Sequence, residues 1–200
     1  MAKPIDFYFD FSSPYGYLAA QRIDQIGEEY GREVAWRPFL LGVVFKTTGG
    51  QPLLGIPMKG DYARRDLARS ARLMDIPFSM PKTFPFMSVS ACRATYWLSE
   101  TDPAAGKALA QALYRAAFAE GRSIADPPAV AAVAADLGLD RDEVLAAVQN
   151  PRIKDLLKRE VAAAAKKGVF GSPFIIVDGE PFWGYDRLDD VDVWLDSGGW

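Results

Sequence analysis

"PFIIVDGEPFW", residues 173–183, decides how this chain folds. Two apolar runs flank Asp178-Gly179, a pair suited to the positive φ angles of a two-residue turn, so the stretch predicts a β-hairpin. The segment that follows, "DRLDDVDVWL" (186–195), turns Leu188, Val191 and Leu195 to one side and predicts a closing helix. A hairpin and one helix are too few elements to stand alone, so the hairpin must join strands from elsewhere in the chain.

Those strands lie at the other end. Residues 4 to 11 alternate, with Ile5, Phe7, Phe9 and Phe11 on one side, and Tyr8 makes the second side half apolar, as in a central strand. At Pro14 the period changes: Leu18, Ala19, Ile23 and Ile26 fall at helical spacing until Gly31, and "EVAWRPF" (33–39) reads as a second strand. Strand-helix-strand at the start and hairpin-helix at the end must share one sheet. That order, βαβ…ββα, is a thioredoxin-like α/β fold on a mixed four-stranded sheet, divided into residues 1–45 and 168–200.

The interruption, residues 46–167, reads as a large helical insertion. Ala63, Leu67, Ala71 and Met74 mark one apolar face, Val89, Cys92 and Tyr96 another, and Leu109, Leu113 and Ala117 a third. Asp126 before Pro127 is a helix start, and Asp140 with Glu143 three residues on is a capping box with Asp as the cap. A last helix runs from Pro151 through Ile153, Leu157, Val161 and Ala164 to Lys166-Lys167-Gly168, where basic residues suit the helix end and glycine the left-handed cap.

Composition excludes several chemistries. There is no histidine and a single cysteine, Cys92. This removes internal disulfides, thiol–imidazole pairs, zinc motifs and Ser-His-Asp triads together. A formal charge of −3, with no run of Lys or Arg, predicts no nucleic-acid partner. No apolar run approaches the roughly 18 residues that span a bilayer, and "MAKPIDFYF" lacks the basic and apolar regions of a signal peptide, which predicts a cytoplasmic protein without a membrane partner. Cys92 sits on an apolar helix face and reads as a small buried hydrophobe.

Two junctions carry the candidate chemistry. Ser13-Pro14 stands where the first strand hands over to its helix. Serine at the N-cap with proline behind it is an ordinary helix start, yet in this fold the same junction is where a reactive sulfur is held. A serine cannot exchange disulfides, so a thiolate there must be brought by a ligand, to which the hydroxyl donates a hydrogen bond. In "FGSPF" (170–174), proline opens a buried strand. A trans bond is the common form, whereas the fold favours a cis Ser172-Pro173 bond with the Ser172 backbone N–H and C=O directed into open space.

"DFYFDFSSPYGYLAAQRI", "KGDYARRDLARSARLMDIPF", "GRSIADP" and "GVFGSPFIIVDGEPFWGYDRLDD" together resemble the 2-hydroxychromene-2-carboxylate isomerases, relatives of the kappa-class glutathione transferases, over residues 5 to 196. The resemblance implies a glutathione cofactor, a small aromatic substrate and a homodimer. It implies that Ser13 stabilises the glutathione thiolate and that Lys59 contacts the tripeptide. It further implies that Ser172, before the cis Pro173, bonds the cysteinyl backbone, and that Tyr185 and Asp186 lie near the γ-glutamyl end. Read without it, Lys59 is a solvated lysine and Asp186 a helix N-cap. Gly50 and Met87 stand where the family often has asparagine.

The implied reaction opens the ring of 2-hydroxychromene-2-carboxylate and yields trans-o-hydroxybenzylidenepyruvate with glutathione regenerated. A kappa-type transferase or peroxidase would use the same thiolate, and a thiol-peptide binder would keep the Ser172-Pro173 groove without needing Ser13. Disulfide oxidoreduction is excluded, because the second sulfur does not exist.

Overall fold

The computed structural model describes residues 3–200; Met1 and Ala2, at the head of the segment read for a leader, lie outside the described residues. Strand β1 (Ile5–Phe9) feeds helix α1 (Pro14–Ala20) and helix α2 (Ile23–Glu29), and β2 (Val34–Pro38) follows. The hairpin strands β3 (Phe174–Val177) and β4 (Glu180–Trp183) close the sheet in the order β2-β1-β3-β4. β1 runs parallel to β2, with Phe7 opposite Trp36, and antiparallel to β3, with Phe7 opposite Ile175. Asp178 and Gly179 both have positive φ, 53° and 104°, so the hairpin turn forms where the Asp-Gly pair predicts it. Ring packing holds one sheet face: Trp36 meets Phe7 and Phe9 edge-on at 5.1 and 5.3 Å, and Phe9 meets Phe11 at 5.1 Å. The fold is the thioredoxin-like one that the order of elements predicts, with a helical block between the two sheet-forming ends.

Between β2 and β3 lie α3 (Leu41–Thr48), a 3-10 turn (Leu53–Gly55), α4 (Lys59–Leu73), α5 (Val89–Ser99), α6 (Pro103–Phe118), α7 (Pro127–Asp136), α8 (Arg141–Gln149) and α9 (Pro151–Lys166); α10 (Leu188–Ser197) ends the chain. Asp126 and Asp140 cap α7 and α8 as predicted, accepting from Ala129 N–H at 2.9 Å and from Asp142 and Glu143 N–H at 2.8 and 3.0 Å. Glu143 makes no return bond to the Asp140 N–H, so only half of the capping box forms. Gly168 has φ of 80° after the Lys167 cap, as a left-handed helix end requires.

Three expectations change. The single helix read from Pro14 is two, because the Gln21 and Arg22 amides bond to carbonyls three residues back, Leu18 and Ala19, which tightens and ends α1. Residues 75 to 88 are not helical: Pro77, Pro81 and Pro85 interrupt the ladder, and this segment lies over Phe118 and Tyr17 with its Phe78 and Phe86 rings. Asp186 caps no helix. It belongs to a 3-10 turn, Tyr185–Arg187, and α10 begins after Arg187 with no side-chain cap.

Candidate functional site

β1 ends on a polar residue that the apolar pattern does not prepare for. Asp10 is 3% exposed and has no ion-pair partner among the described residues. Instead its carboxyl oxygens accept neutral donors: Oδ1 takes the Ser12 N–H and the Ser12 hydroxyl, each at 2.8 Å, and Oδ2 takes the Leu41 N–H at 2.7 Å. The backbone of Asp10 is occupied too. Its N–H donates to Ser172 Oγ at 2.8 Å, and its carbonyl accepts from Ser13 N–H at 2.8 Å and from the buried Tyr114 hydroxyl at 2.9 Å. One residue thus ties the β1–α1 corner, the start of α3, the loop before β3 and the middle of α6 together.

On this support stands Ser13. It caps α1, its Oγ accepting the Gly16 N–H at 3.0 Å, and it donates its hydroxyl proton to the Ser172 carbonyl at 2.8 Å. The Ser172-Pro173 bond is cis, as expected. The expectation that the Ser172 carbonyl faces open space is corrected, because Ser13 already occupies it. The N–H groups of Ser172 and Tyr15 donate to no group among the described residues. α1 has only seven residues, so its dipole is small and the polar character of the corner rests on the Ser13 hydroxyl and these two amides.

Gly16 is required by close approach. A Cβ there would stand 2.4 Å from Tyr114 Oη and 3.0 Å from Ser172 Oγ. Gly16→Ala improves intrinsic helix propensity, yet it must push the buried Tyr114 hydroxyl off Asp10, and overpacking of this kind costs about 1–3 kcal/mol. The variant is expected to melt below the wild type, with Tyr114→Phe in the same chain recovering part of the loss; a higher melting temperature for Gly16→Ala alone would contradict this packing.

Around the corner the remaining candidates separate. Tyr185 stacks on Tyr15, centroids 5.4 Å apart and planes at 14°, and its hydroxyl pairs with Ser70 Oγ on α4. Asp186 is exposed and paired with Arg187 at 3.1 Å. Lys59 is the exposed first residue of α4, whose Asp66 and Ser70 bond the Tyr15 and Tyr185 hydroxyls, and it makes no hydrogen bond or ion pair with either serine among the described residues. Ser13, Ser172 and Pro173 are therefore brought together directly and Tyr185 by way of Tyr15, whereas no hydrogen bond or ion pair among the described residues joins Lys59 or Asp186 to either serine. Sequence reading missed Asp10, Gly16, Tyr15 and Tyr114. Asp10 was signalled as a lone carboxyl ending an apolar strand, whereas nothing local marked Tyr114.

Burial pushes the Tyr114 phenol and the Cys92 thiol well above their ordinary ranges, so both stay protonated at neutral pH. Cys92 packs with its sulfur 3.8 Å from the Phe39 carbonyl. No group of three or more metal-ligating side chains occurs among the described residues, and no helix there is long and apolar enough to cross a membrane.

Comparison with known proteins agrees with this architecture. Residues 4–195 match the family described as the DSBA-like thioredoxin domain. A 2-hydroxychromene-2-carboxylate isomerase of Sphingobium xenophagum is 30% identical over 98% of this chain and 99% of its own length. Glutathione S-transferase kappa 2 of Caenorhabditis elegans is likewise 30% identical, over 94% of this chain and 90% of its own. Among solved structures, a 2-hydroxychromene-2-carboxylate isomerase superposes with a TM-score of 0.87 at 28% identity, covering 96% of this chain and 94% of the other.

Proposed function

We propose, from the premise that the chain belongs to the DSBA-like thioredoxin domain family, that it is a glutathione-dependent isomerase. Within that family it belongs with the 2-hydroxychromene-2-carboxylate isomerases and their kappa-class glutathione transferase relatives. The reaction we assign interconverts 2-hydroxychromene-2-carboxylate and trans-o-hydroxybenzylidenepyruvate. The reading carries with it a cytoplasmic homodimer, a thioredoxin-like domain of residues 1–45 and 168–200, and an insertion domain of residues 46–167.

One observation carries it: a serine hydroxyl stands at the β1–α1 corner, paired with the backbone of the residue before a cis proline, and the only cysteine is buried elsewhere. The polar groups of the corner fit a thiol peptide. Ser172 offers a free N–H and a carbonyl whose present donor is a rotatable hydroxyl, the pair that a cysteinyl backbone needs. If a peptide N–H takes over the Ser172 carbonyl, the Ser13 proton is released to turn toward sulfur while its Oγ keeps the Gly16 N–H. The exposed Lys59 suits a carboxylate of the ligand and Asp186 its ammonium group, with Tyr185 beside them.

Glutathione, when bound, would supply a sulfur nucleophile that adds reversibly to the conjugated double bond of the substrate and so allows rotation about it. The Ser13 hydroxyl holds a proton against that sulfur and favours its ionised form, which for a free thiol of pKa about 8.5 is a few per cent of the total at neutral pH. Ser172 and Pro173 orient the peptide, and the packed Asp10–Tyr114 support keeps the hydroxyl from drifting.

The test is calorimetric uptake of glutathione followed by turnover of 2-hydroxychromene-2-carboxylate at substoichiometric glutathione. Many turnovers per glutathione are expected. Equal identity to a kappa-class transferase and to an isomerase favours a second reading, conjugation, in which glutathione is consumed one for one. No uptake at all would overturn both.

A further inference from the structure

We propose that Tyr15 and Tyr185 are positioning residues: together they clamp α4 onto the first turn of α1 and so aim Lys59 at the ligand held by Ser13. The inference rests on the glutathione reading above.

α4 is a polar helix with little to bury. Only Gly60, Ala63, Leu67, Ser70 and Ala71 are buried, and they share one side. Leu67 and Ala71 pack into the core, and the side-chain hydrogen bonds from α4 to the corner of the sheet are made by two tyrosines. The Tyr15 hydroxyl donates to Asp66 Oδ2 at 2.9 Å, and the Tyr185 hydroxyl pairs with Ser70 Oγ. Asp66 is itself fixed by Arg69, one turn further along α4. The two rings stack on each other, so the chain's first helix and the turn before its last helix grip α4 as one unit. Burial and the neighbouring Asp66 carboxyl raise the Tyr15 phenol above its ordinary range, which keeps it a neutral donor.

Helix geometry extends this grip to Lys59. At 3.6 residues per turn, Asp66 and Ser70 lie seven and eleven residues beyond Lys59 and within about 20° of it around the helix axis. The gripped face therefore carries Lys59 at its leading end, about 10 Å along the axis from Asp66. The helix entry is braced as well. A tight turn with Met58 at φ 65° closes Lys59 N–H onto the Pro57 carbonyl at 2.8 Å, and a Cβ at Gly60 would stand 2.4 Å from the Leu54 carbonyl. Tyr15 is two residues from Ser13, so the clamp sets the placement of the cation relative to the hydroxyl without touching either.

A double-mutant cycle read by calorimetry with glutathione tests the proposal. Tyr15→Phe keeps the stacked ring and removes one hydrogen bond, and is expected to weaken glutathione about three- to tenfold while leaving the pKa of the bound thiol unchanged. In a Lys59→Met background the same substitution is expected to change affinity by less than about twofold, because the group being aimed is gone. Asp66→Ala is expected to reproduce the cycle from the α4 side, which keeps the test decisive if Tyr15→Phe folds poorly. Equal losses in both backgrounds, or none in either, overturn the clamp alone. Failure of the wild type to take up glutathione overturns the proposed function and this inference with it.

Discussion

Ser13→Ala is expected to lower kcat/KM for glutathione-dependent turnover by between about ten- and a hundredfold while the protein stays folded. A hydrogen bond from a neutral donor to a charged acceptor contributes roughly 1.5–3 kcal/mol, and each 1.36 kcal/mol is tenfold in rate. The structural side of the loss is smaller. Alanine leaves the Gly16 N–H without its cap and the Ser172 carbonyl without its donor, at a cost of about 1–2 kcal/mol in stability. Rate and stability therefore separate: denaturation should show a modest shift, and steady-state kinetics a large one. Turnover within a few-fold of the wild type would remove Ser13 from the chemistry and leave it a helix cap.

Asp10→Ala is expected to give the largest loss of stability at the site, roughly 3 kcal/mol, because three donors lose their acceptor at once. For a chain of this length that corresponds to a fall in melting temperature of about 6–12 °C. Asp10→Asn separates shape from bonding. The amide keeps one oxygen for either Ser12 or Leu41 and presents an N–H to the other, so it should fall between wild type and alanine. A melting temperature for Asp10→Ala within a degree or two of wild type would show that these bonds are replaced by water at little cost.

The parts of the fold legible in sequence are those whose causes are local. The Asp178-Gly179 turn needs only the backbone tolerance of two adjacent residues, and the Asp126 cap only a carboxyl and an amide three residues apart. The break after Ala20 was invisible because neither Gln21 nor Arg22 is a helix breaker; the chain turns there through amides bonded three residues back. Residues 75 to 88 read as part of the helical block because the segments on either side carry the periodicity, whereas Pro77, Pro81 and Pro85 deny the stretch between them a helical ladder.

The site divides in the same way. Ser13 and Ser172 announce themselves as small polar residues at a strand end and before a proline, and the structure joins them across 159 positions of sequence. Asp10 and Tyr114 are joined across 104 positions, and no spacing rule links them. The Asp186 cap failed because a 3-10 turn intervenes and moves the start of α10 past it. Lys59 lies far from Ser13 in sequence and exposed in the structure. The proposed link between Lys59 and the site rests on the face of α4 that the two tyrosines hold, which no local signal in the sequence marks.

Ionisation of a borrowed thiol is the step that the Ser13 hydroxyl is proposed to control. Titrating the ultraviolet absorbance of the thiolate in the glutathione complex against pH, for wild type and Ser13→Ala, measures it without a second substrate. The expected result is a wild-type pKa below the value of about 8.5 for a free thiol, returning toward that value when the hydroxyl is removed. The same pKa in both proteins, or a wild-type value at or above that of the free thiol, would contradict it.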